Sequence, residues 1–112
     1  MIKLLNLITE VKETFESFAQ VRLRGSEKIT KNAKEKGGPS LLTWNHFKVK
    51  LPYYKKASEG KFNVDDAKKE YKELLEQLYT STKNNMSIKQ TEFQQIMGKL
   101  EVLGELIIKN PQ

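Results

Sequence analysis

The residues best suited to chemistry lie in one stretch of the chain, residues 21–61. It carries eleven of the twenty Lys and Arg side chains but only three acids, a net charge of +8, while the other residues sum to −2. The only Trp and the only His, Trp44 and His46, also lie there, followed closely by Tyr53 and Tyr54. Lysine and arginine hold phosphates, and exposed aromatic rings stack on unpaired bases. The pattern therefore indicates binding of nucleic acid or another polyanion.

We expect six basic side chains to contact phosphates and Tyr53 to be the exposed aromatic residue, because it lies off the apolar stripe of its segment. The candidate residues are Arg22, Arg24, Lys48, Lys50, Tyr53, Lys55 and Lys56. Trp44, Phe47 and Tyr54 share one helical face, which is more typical of a core. Only two of the twenty basic residues are Arg, so A/T-rich codon usage competes as an explanation of the excess. The clustering is the stronger signal.

Catalytic chemistry has little support. The chain has no cysteine and one histidine, so His46 cannot form a His-rich metal site. Residues 37–40 (Gly-Gly-Pro-Ser) lack the Lys and the preceding strand of a phosphate-binding loop. Acidic pairs such as Asp65 and Asp66 suit a helix N-terminus, and nothing near them in sequence would shift a pKa. We expect a protein that is not an enzyme and holds no cofactor and no metal.

The bulk properties bound the class of protein. A chain of 112 residues with 38% hydrophobic and 30% charged residues is typical of one folded domain. No stretch approaches the roughly 18 apolar residues of a membrane span. Lys3, Asn6 and Glu10 interrupt the apolar N-terminus, which argues against a signal peptide. We expect a cytoplasmic protein.

Three long segments have apolar residues at spacings of three and four, which predicts amphipathic helices over residues 2–19, 64–78 and 88–109. Asn63 is a good N-cap for the second helix. Ser87 opens a capping box for the third, which we expect to be the longest of the chain.

Residues 21–39 admit two interpretations. In the first, residues 21–24 alternate and turn at Gly25 and Ser26 into a short hairpin. In the second, Ser26 caps a helix over residues 27–36. We favour the helix, which the Gly-Gly-Pro sequence that follows would end.

The remaining signals complete the architecture. Pro52 lies inside a helical run and predicts a kink or break near residues 48–51. Gly60 is expected to stop that run, and residues 80–85 to form a polar loop. These elements predict an all-α fold, a single-domain bundle of four to five helices over residues 1–112.

The apolar stripes also predict the core. Residues expected to be buried together are Leu74, Leu78, Phe93, Leu100 and Leu103. Gly98 and Gly104 lie inside the last helix, where each costs roughly 1 kcal/mol against Ala. They either allow close approach of another helix or are simply tolerated.

A protein-interaction module is the alternative function. The amphipathic N-terminal helix or the last helix would then dock on a protein partner or on a second copy of the chain. Binding through charge weakens at high salt, whereas a complex held by apolar burial survives it.

Residues 1–10, Met-Ile-Lys-Leu-Leu-Asn-Leu-Ile-Thr-Glu, resemble the starts of small uncharacterised proteins of marine tailed bacteriophages. The Lys-rich composition agrees with this resemblance. It implies expression in the cytoplasm of a bacterial host, and it implies no activity and no site residue.

Overall fold

The computed structural model describes residues 14–83 and 89–110, which contain helices and no strand. The helices are α1 (Phe15–Lys36), α2 (Ser40–Lys48), α3 (Leu51–Ser58), α4 (Val64–Lys83) and α5 (Gln90–Lys109). The chain is an all-α, single-domain bundle, as the sequence predicts.

Helix α1 runs without interruption through residues 21–36, for which the sequence left both a hairpin and a helix open. The helix expected over residues 27–36 is confirmed, but it begins at Phe15, where the Thr14 hydroxyl accepts a hydrogen bond from the Ser17 amide at 3.0 Å. The hairpin interpretation and the predicted N-cap at Ser26 are therefore wrong. Ser26 is 6% exposed in the middle of α1 and belongs to the buried side of that helix.

Helix lengths differ from the prediction in one respect. Among the described residues, α1 is the longest helix with 22 residues, and α5 has 20. The expectation that the last helix is the longest is therefore wrong. Residues 2–13 of the predicted N-terminal helix lie outside the described residues, as does Ser87.

Three of the predicted stop and break signals, at residues 37–38, at Pro52 and at Gly60, are confirmed. Gly37 and Gly38 have φ values of 63° and 55°, a left-handed conformation that favours glycine, and they end α1. Helix α2 ends at Lys48 and α3 begins at Leu51 with Pro52 in its first turn, so the predicted break is confirmed. Gly60 follows α3 with a φ of 73°.

Helix α4 begins as expected but ends later. The Asn63 side chain accepts a hydrogen bond from the Asp66 amide at 3.0 Å, which confirms the N-cap. Residues 80–83 continue the helix instead of starting a loop. Their polar side chains fit its solvated side, and the Thr82 hydroxyl donates to the Leu78 carbonyl at 3.0 Å.

The core has two adjoining clusters that share α5. The first joins α1, α3 and α5 and contains Phe18, Ala19, Tyr54, Ala57, Val102 and Leu106. The second joins α4 and α5 and contains Ala67, Leu74, Ile96, Leu100 and Leu103. Helix α5 is therefore the central helix of the described fold.

The predicted core is right in part. Leu74, Leu100 and Leu103 are buried in the second cluster, and Leu78 packs against it with partial burial. The predicted burial of Phe93 is wrong. The residue is 39% exposed in the first turn of α5, and Ile96 takes the inward position.

The structure distinguishes the two glycines of α5. A methyl group on Gly98 would lie 2.1 Å from the main-chain oxygen of His46 and 2.7 Å from Val49 Cγ2. A methyl group on Gly104 would lie 3.5 Å from Tyr71 Cε2, an ordinary contact. Gly98 therefore allows α2 to approach α5 closely, whereas Gly104 is only tolerated.

Candidate functional site

A groove opens where the junction of α2 and α3 faces α4 and α5. We call it the basic groove, and its lining residues are Lys48, Val49, Pro52, Tyr53, Lys56, Glu70 and Lys99. It encloses about 540 Å³, within the range of pockets that hold small organic ligands. Three lysines from three helices thus surround a wall that is largely apolar.

Two local features bring these lysines together. The break before Pro52 ends α2 at Lys48 and turns the chain into α3, so that Lys48 and Lys56 reach the same groove. Lys99 directly follows Gly98, and the close approach of α2 to α5 at Gly98 places it at the groove's third side.

Tyr53 and Glu70 form the polar contact of the groove. The Tyr53 hydroxyl donates a hydrogen bond to Oε1 of Glu70, and the half-buried ring packs against both core clusters. Burial raises the pKa of Tyr53, and the hydrogen bond and charge of Glu70 raise it further. The phenol therefore stays neutral at physiological pH and adds no negative charge to the groove.

Trp44 orients one lysine of the groove. The Lys48 ammonium lies 4.1 Å from the centre of the Trp44 ring, and that of Lys34 lies 5.9 Å from it. An ammonium group over an indole face is attracted by the electrons of the ring. The contact limits the positions that the Lys48 ammonium can take.

Three of the seven predicted site residues meet in the basic groove: Lys48, Tyr53 and Lys56. Lys55 and Arg24 are exposed and are not among its lining residues. The Tyr53 ring is half-buried, so it is less exposed than the sequence predicts.

Arg22 of α1 belongs to another network, which it forms with Glu105 of α5. Its Nε is 3.5 Å from Oε2 of Glu105, whose other oxygen accepts a hydrogen bond from the Tyr54 hydroxyl at 2.6 Å. Burial first, and then Glu105, raise the pKa of Tyr54. Arg22 therefore has part of its charge offset by an acid of the same chain.

Lys50 is the site prediction that needs correction. The residue is 3% exposed, its Nζ lies 2.5 Å from Oε1 of Glu101, and it sits 4.4 Å from the centre of the Phe47 ring. A buried and paired ammonium group is not available to a phosphate in solution. We therefore leave Lys50 out of the candidate interface.

Sequence reasoning missed two charged residues of the groove, Glu70 and Lys99, because both lie outside residues 21–61, and it did not assign the apolar Val49 and Pro52 to a site. The position of Lys99 beside Gly98 was a usable signal, since a glycine inside an apolar helix suggests a close helix contact there. Nothing in the local sequence of Glu70 separates it from the solvated acids of α4.

The Lys50–Glu101 ion pair predicts acid sensitivity. Burial alone would raise the pKa of Glu101, but the hydrogen bond and charge of Lys50, and then His46, lower it overall. Because the folded pKa lies below the unfolded value near 4.5, the stabilisation is complete above that value and is lost as the pH falls through the folded pKa. We expect Glu101→Gln to lower the free energy of unfolding at neutral pH by about 1–2 kcal/mol, since the Glu101 side chain is 60% exposed and water offsets part of the loss.

Urea unfolding at several pH values measures this effect. The difference between the parent and Glu101→Gln should shrink as the pH falls through the lowered folded pKa of Glu101, because Glu101 of the parent then becomes protonated. Glu73→Gln, at an exposed position of α4, is the control and should change stability little at any pH. A difference between parent and Glu101→Gln that stays constant with pH would contradict the prediction.

Two classes of feature are not found in the part of the chain that the structure describes. None of its helices is both long and apolar enough to cross a membrane. Residues 14–83 and 89–110 also contain no group of three His, Asp or Glu side chains arranged to hold a metal ion.

Comparison with known proteins adds no family to these observations. The chain matches no protein-family model, no curated protein sequence and no solved structure.

Proposed function

We propose that this chain is a non-enzymatic protein that binds single-stranded or structured nucleic acid weakly, and largely independently of sequence, through the basic groove. The observation that carries the proposal is the meeting of Lys48, Lys56 and Lys99 from three helices around Val49, Pro52 and Tyr53. Ammonium groups beside an apolar wall match the two surfaces of a nucleotide, its phosphate and the face of its base.

The charge balance of the groove supports this proposal. Its lining holds three lysines and one acid, Glu70, so the groove is positive at neutral pH. Arg24 and Lys55, also within residues 21–61, are further exposed cations that do not line the groove. An open groove also suits an unpaired strand better than a duplex, because a base can enter it only when it is free of its partner.

We expect replacement of Lys48, Lys56 and Lys99 together by Gln to weaken binding and its salt dependence. Each phosphate contact to a single strand contributes about −0.7 to the slope of log K against log salt, so losing three contacts should flatten the slope by up to about 2. Fluorescence anisotropy of a labelled single-stranded oligonucleotide, titrated from about 50 to 200 mM salt, measures the slope.

The matched control replaces Lys68, Lys69 and Lys72 by Gln. These exposed residues of α4 carry the same total charge but do not line the basic groove. Their loss should change the slope little. Equal effects of the two triple variants would show that only the overall charge attracts nucleic acid. No detectable binding at low salt would reject the proposal.

A second candidate function is a protein-interaction module, which one observation favours. Leu75 and Tyr79 of α4 are 45% and 68% exposed, and Phe93 and Met97 of α5 are 39% and 37% exposed. Each pair is one helical turn apart, on two helices that pack against each other. Apolar side chains exposed in this way would suit an adaptor or inhibitor, and a complex that survives high salt would indicate that function.

A further inference from the structure

One acidic residue is part of the lining of the basic groove. Glu70 lines it together with Lys48, Lys56 and Lys99, and its carboxylate accepts the hydrogen bond of Tyr53. For a surface that only attracts phosphates, a carboxylate is unfavourable because it repels them. Its presence is explained if part of the ligand other than the phosphate contacts it.

The Glu70 carboxylate has capacity for such a contact. An ionised carboxylate offers about four acceptor positions on its two oxygens, and the Tyr53 hydroxyl uses one of them, on Oε1. Glu70 is half-buried and also lines a smaller adjoining cavity with Phe62 and Asp66. An acceptor that is partly shielded from water discriminates better between donors and acceptors of a ligand.

Nucleobases differ in what they present to a carboxylate. Cytosine carries an exocyclic amino group that donates, whereas thymine has a carbonyl oxygen at the same position, which a carboxylate repels. Adenine also carries an amino group, and uracil has the same carbonyl as thymine. A base resting on Pro52 and Tyr53 with its phosphate among the lysines would bring its edge towards Glu70.

We propose that Glu70 makes the basic groove selective for bases that carry an exocyclic amino group over thymine and uracil. This inference rests on the proposed function and names the base class that the groove takes. Lysines set the affinity through the backbone, which is the same for every sequence, and Glu70 adds a modest preference among bases.

The test compares single-stranded oligomers of deoxycytidine and of thymidine, which have equal charge and rings of similar size. We expect the parent protein to bind the cytosine oligomer about threefold or more tightly, a modest value for one hydrogen bond to a base edge. Glu70→Gln should bring this ratio close to one, because the Gln amide can both accept from cytosine and donate to thymine. It should also raise both affinities, because a negative charge leaves the groove.

Glu73→Gln is the matched control. It removes the same charge from an exposed position on the same helix that does not line the basic groove, so the ratio of the two affinities should stay at the parent's value. Circular dichroism melting of both variants checks that they fold like the parent.

The outcomes separate the two proposals. A parent protein that binds both oligomers equally, or a Glu70→Gln variant that keeps the parent's ratio, would overturn the role of Glu70 and leave the proposed function standing. Absence of binding to either oligomer at low salt would instead reject the proposed function.

Discussion

Replacing Gly98 by Ala should destabilise the protein by about 3 kcal/mol or more, the upper range for overpacking of a core. The added methyl group would lie 2.1 Å from the main-chain oxygen of His46, which cannot rotate away as a side chain could. Helix α2 would have to move outwards from α5. That movement would also strain the 3.1 Å hydrogen bond from the Gln95 side-chain amide to the Asn45 side-chain oxygen, and the ion pair between the buried Lys50 and Glu101.

Urea unfolding followed by circular dichroism measures this loss, and Gly104→Ala is its control on the same helix. The methyl group at Gly104 meets only Tyr71 Cε2 at 3.5 Å. The better helix propensity of Ala should therefore make that variant as stable as the parent or more stable, by up to about 1 kcal/mol. Similar stabilities of the two variants would contradict the close approach of α2 to α5.

Truncation of Leu103 to Ala is the second change with a large expected effect. The side chain is 1% exposed in the cluster between α4 and α5. Removing it should cost about 2–5 kcal/mol through lost burial and the cavity that remains. A domain of this size is typically stable by only about 5–15 kcal/mol, so the variant should melt at a clearly lower temperature.

Phe93→Ala tests the same helix at a position that the structure places outside both core clusters. Its side chain is 39% exposed, and we expect a loss of about 1 kcal/mol in proportion to the smaller area buried. Thermal melting of Phe93→Ala and Leu103→Ala side by side compares the two losses of stability. A larger loss at Phe93 than at Leu103 would mean that the inward face of α5 has been misassigned.

The parts of the fold that sequence predicts well depend on local signals. Gly37, Gly60 and Asn63 act on the backbone within a few residues, so their effect does not depend on the rest of the fold. Ser26 shows the limit of such signals. A serine after a glycine favours a turn or a cap, yet burial of Ala19, Ser26 and Ala33 on one side of α1 outweighs that local preference.

The residues of the candidate site likewise divide into those that local sequence predicts and those that depend on tertiary contacts. Lys48, Tyr53 and Lys56 lie within nine positions of one another around a predicted break, so their meeting could be expected from sequence. The burial of Lys50 could not be predicted from sequence. Its partner Glu101 is 51 positions away, and only the packing of α5 shows that the charge of Lys50 is buried. Contributions from distant positions, such as Lys99, likewise require the tertiary contacts of α5.

Because α5 belongs to both core clusters, α1, α2 and α3 cannot complete their packing until α5 has been synthesised. The bond from Tyr54 to Glu105 joins positions 51 residues apart, and Val102 and Leu106 close the cluster over Phe18. At a translation rate of about 5–20 residues per second, synthesis of α5 begins roughly 2–6 seconds after synthesis of α3 ends. During that interval the apolar side chains of α1 and α3 that α5 covers in the folded protein have no such cover, and exposed apolar surface of this kind is prone to aggregation. Completion of the first core cluster therefore depends on when α5 is synthesised.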